Sequence, residues 1–188
     1  MSAVESPRRQ TGRRGDAGFS LFELVIVVCI VAVLAAAAAE RLTAVRAMAE
    51  RGAVEFFIGN LRSAAGMRVA SYVAKGQLQE ISKIAGANPV DWLAQVPDNY
   101  QGSFYGMDPA LIDGGQWYFD SRDRMLVYRV RYAEYFETPL SGPPRARFTV
   151  VLVYDTPSGS RPETGEAGRA TGIRIAAAER YRWVTPGG

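Results

Sequence analysis

One carboxylate stands alone in an apolar stretch. Glu23 is the only charge between Phe19 and Ala39, a run of twenty-one residues in which Ser20 is the one hydroxyl. An ionisable group among aliphatic side chains in lipid costs at least ~2.5 kcal/mol unless it reaches water or meets a cation. The residue types that carry most enzymatic chemistry are otherwise scarce. There is no histidine, which removes His-dependent triads and His-ligated metal centres. Carboxylate-based or lysine-based chemistry is what remains, and no constellation of that kind stands out. The single cysteine, Cys29, lies inside the apolar run, so an intramolecular disulfide is impossible. Asp155, Glu163 and Glu166 offer oxygen ligands for calcium, but their spacing is not that of an EF-hand and an exposed loop is the expectation. No metal and no cofactor is expected.

The elements that must hold Glu23 are legible around it. As a helix, residues 19–39 would measure roughly 31 Å at about 1.5 Å per residue, matching a hydrocarbon core of about 30 Å. The chain is therefore expected to be membrane-associated when first made. Arg8, Arg9, Arg13 and Arg14 outweigh Glu5 and Asp16 ahead of the run, which keeps the leader cytoplasmic and sends the chain beyond the run across the membrane. Those residues account for +2 of the formal net charge of +3, so no polyanion-binding surface is indicated and no nucleic acid is expected as a partner.

After Ala39 the chain turns amphipathic without a turn signal. Leu42, Val45, Ala49, Ala53, Phe56, Phe57, Asn60, Leu61 and Ala64 recur at spacings of three and four, a helical period that should run to about Ala74, before Lys75-Gly76. Gly52, Gly59 and Gly66 recur every seven residues within it. Each lowers helix stability by about 1 kcal/mol relative to alanine, and close approach by a sheet or a neighbouring helix would explain them. Asn88-Pro89-Val90-Asp91 reads as a short helix start, closed by Pro97. Gly102, Gly106, Pro109, Gly114 and Gly115 read as loop. From Gln116 to Val184 the chain reads as β-rich: 116–120 is a short strand, and 126–132, 147–154 and 173–183 alternate with period two. One apolar face on each predicts antiparallel strands packed on one side, with the amphipathic helix as the partner layer.

The segment Gly18-Phe19-Ser20-Leu21-Phe22-Glu23-Leu24-Val25, following a short basic leader, resembles the prepilin leader of type IV pilins, type II secretion pseudopilins and related subunits. The resemblance implies cleavage between Gly18 and Phe19 by a prepilin peptidase, N-methylation of Phe19, and an assembly role for Glu23 as the fifth residue of the mature chain. The amine freed at Phe19 is a cation that a neighbouring subunit can offer to Glu23, and such a pair specifies register because losing either partner strands the other. The implied fold is α+β and pilin-like: a long N-terminal helix, transmembrane in its first half, against a C-terminal antiparallel sheet. Its expected divisions are a leader at 1–18, a transmembrane or filament-core helix at 19–39, an amphipathic helix at 40–75, a variable connection at 76–115 and the sheet at 116–188. Many relatives carry proline where this chain has Glu40, so a less interrupted helix is expected here.

The resemblance implies a non-catalytic structural subunit, a pseudopilin or minor pilin, rather than an enzyme. It would polymerise with copies of itself and other pilins after passing the peptidase and an inner-membrane assembly platform. It would reside in the bacterial inner membrane with its head extracytoplasmic, then in a periplasmic or surface filament. A different class remains open: a monomeric anchored binding protein that uses the same leader for export.

Overall fold

The computed structural model describes residues 20–154 and 170–184. One long helix, α1, covers Leu21–Ala74. Ser20 starts it: the Ser20 hydroxyl oxygen accepts from the Glu23 N–H at 3.2 Å and its carbonyl accepts from the Leu24 N–H at 3.1 Å. A serine oxygen bonded to the N–H three residues on satisfies one of the four orphan donors of a helix start. Ser20 and Glu23 thus occupy the first and fourth positions of a capping-box pattern. At the other end Gly76 adopts φ +68°, its N–H donating to Val73 O at 3.0 Å and that of Gln77 to Tyr72 O at 2.9 Å. This is a Schellman closure, and the left-handed conformation explains glycine after Lys75. With no proline at Glu40, α1 passes that position unbroken.

Two compact units divide the chain, residues 1–40 and residues 41–188. In the second unit, a short helix α2, Leu78–Lys83, follows α1, then a single 3-10 turn at Pro89–Trp92. The Asn88 side chain caps that turn at 3.2 Å to Val90 N–H, as the Asn-Pro signal requires. The turn ends well short of Pro97.

The strands are β1 Tyr100–Phe104, β2 Trp117–Asp120, β3 Met125–Arg129, β4 Phe136–Glu137, β5 Arg145–Tyr154, β6 Ala170–Ala177 and β7 Arg182–Trp183. Five form one sheet in the order β1-β2-β3-β5-β6, while β4 and β7 make a separate antiparallel pair. The fold is α+β and pilin-like in layout: α1 lies against a mostly antiparallel sheet.

Four expectations need correction. The segment read as loop contains β1, which pairs parallel to β2. Gly102 sits in β1 at φ +107°, where the register shifts, so the glycine serves an irregular strand rather than a loop. The segment 173–183 is two strands, since β6 ends at Ala177 and β7 joins the other sheet. The sheet is not packed on one side only. Tyr118 and Val127 are buried on the opposite face with Ile112, beneath Phe104 and Met107.

The fourth concerns α1 itself. Its buried face is Ala47, Val54, Ile58, Leu61, Ala64 and Ala65. Leu42, Val45, Ala49, Ala53 and Phe56, expected on that face, are exposed. At 3.6 residues per turn, Phe56 points about 200° away from Val54. The helix has two apolar faces, and the spacing alone merged them.

The main core forms where the inner face of α1 meets the sheet. Trp117 is its hub, with ring centroids 4.7 Å from Phe57, 4.7 Å from Tyr128 and 5.9 Å from Phe148. Leu61, Leu126, Val150 and Ile175 fill around it, each almost wholly removed from water. Buried apolar area of this kind supplies the dominant favourable folding term. No disulfide assists it, since Cys29 is unpaired.

Candidate functional site: the unpartnered faces of the long helix

The first surface lies within residues 20–39. Leu21, Phe22, Leu24, Val25, Ile26, Val27, Val28, Ile30, Val31, Val33 and Leu34 are all exposed, as are Glu23 and Cys29. The segment is long and apolar enough to cross a membrane, and none of its most apolar stretch is buried among the described residues. Side chains of this kind are placed for lipid or for another apolar surface, not for water. Glu23 is held in the first turn of α1, where its charge also complements the helix dipole. Gly18 and Phe19, expected to flank the cleaved bond, lie outside the described residues, as do Asp155, Glu163 and Glu166.

The second surface lies on α1 within residues 41–74. Leu42, Val45, Ala49, Gly52, Phe56, Gly59, Ser63 and Gly66 follow a strict three-four spacing, and all but the half-exposed Gly59 are exposed. Phe56 is 71% exposed, unusual for a phenylalanine in a helix already anchored to a core. A side-chain carbon added at Gly52, Gly59 or Gly66 would meet nothing within 4 Å among the described residues. The sheet is thereby removed as the reason for these glycines. A 3.5-residue apolar repeat is the pattern by which one helix packs into another.

The grip between α1 and the sheet depends on a residue that sequence reasoning missed. Glu50 accepts hydrogen bonds from the Tyr128 hydroxyl at 2.8 Å, the Arg131 N–H at 2.7 Å and the Tyr132 N–H at 3.1 Å. One carboxylate thus terminates β3 and ties it to the helix. Burial, then the Glu50 contact, pushes the Tyr128 hydroxyl well above its ordinary value. No spacing signal links residues about eighty apart, so only the fold reveals this clamp.

These surfaces meet a local signature in the sequence. Residues 13–39 match the prokaryotic N-terminal methylation motif. They are a prepilin-type leader. The motif is that of type IV pilins and pseudopilins, and it marks the chain as a pilin-like substrate of prepilin peptidase. Membrane anchoring and export are consistent with that leader and with the apolar start of α1. No curated protein and no solved structure matches the chain. The matched residues end at Ala39, so the pilin-like layout of residues 41–188 rests on its own geometry.

Proposed function

We propose that the chain is a non-catalytic filament subunit, a pseudopilin or minor pilin, cleaved between Gly18 and Phe19 and methylated on Phe19. The observation that carries this reading is α1 itself. It is anchored to the sheet by one face and leaves two apolar surfaces exposed among the described residues, one of them bearing a single acid. In a filament the surface at 20–39 exchanges lipid for neighbouring helices. Glu23 then meets the methylated amine of an adjacent subunit's Phe19. Such a pair contributes register more than net stability, because the desolvation of both charges offsets most of their attraction. The glycines at 52, 59 and 66 allow a neighbouring helix to approach closely, as small residues do elsewhere. Other pilins, the peptidase and an inner-membrane platform are the partners this role requires, and the head is placed outside the cytoplasm.

The test is Glu23→Ala. The variant is expected to be cleaved and methylated normally yet to be missing from sheared filaments, remaining in the membrane fraction. Incorporation at the wild-type level would remove the ion pair from the account. The monomeric binding-protein reading predicts a different outcome: wild-type chain that never leaves the membrane fraction.

A further inference from the structure

We draw no further inference here: the strongest candidate, the exposed apolar stripe of α1 from Leu42 to Gly66, is the helix face already used in the proposed filament, and nothing among the described residues shows what covers it.

Discussion

Single residues carry distinct burdens on the two sides of α1. Glu50 terminates β3 by accepting two backbone N–H groups and a buried hydroxyl. Removing it leaves those donors without a partner. Glu50→Ala is therefore expected to destabilise the β-rich unit by about 2–4 kcal/mol, measurable by denaturant unfolding of the full chain in detergent. The Tyr128 hydroxyl has a folded value raised above its ordinary 10.0 by burial first and Glu50 second. Such a group keeps its full contribution below the unfolded value, and loses it as pH rises above that value towards the folded one. The Tyr128 contribution should be flat up to about pH 10 and fall beyond it. Burial also raises Tyr100, Tyr118 and Tyr181, so Tyr128→Phe should lessen the alkaline loss without abolishing it.

At the scale of elements, α1 shows how periodicity informs and where it stops. Its extent is readable from the apolar pattern and the Lys75-Gly76 stop. Its inner face is not, because Leu42 and Val45 obey the same spacing rule as Ala47 and Val54. A helix with apolar residues on opposite sides satisfies one period twice. The strands β3 and β5 follow from alternation, and β2 from its short aromatic run before a turn. β1 does not, since it owes its existence to pairing with β2 and carries a glycine at positive φ. The Glu50 clamp joins residues distant in sequence, and no local signal encodes it. Glu23 is conspicuous for the opposite reason: a lone acid in an aliphatic run demands a partner or water wherever the chain folds.

The helix also yields a prediction with two opposing signs. A side-chain carbon added at Gly59 meets nothing within 4 Å among the described residues, so Gly59→Ala should raise the melting temperature of the isolated chain, in line with a propensity gain of about 1 kcal/mol. If a neighbouring helix packs there, the same methyl should lower filament yield. Thermal melting and the amount of chain recovered in sheared filaments measure the two effects. Unchanged filament yield would free the glycines from any packing role.

At the scale of the molecule, residues 20–39 and 41–188 answer to different surroundings. The first has an apolar surface left exposed among the described residues, and a leader motif that marks it for processing. The second folds around Trp117 with no disulfide, so packing and the Glu50 clamp must hold it. In the proposed filament these roles join, since the processing that would free the Phe19 amine would also create the cation proposed to meet Glu23. Mass spectrometry of the chain recovered from sheared filaments tests this most directly. The expected species in the filament fraction is a mature chain beginning at N-methylated Phe19. Chain that keeps residues 1–18, or that is found only in the membrane fraction, would contradict it.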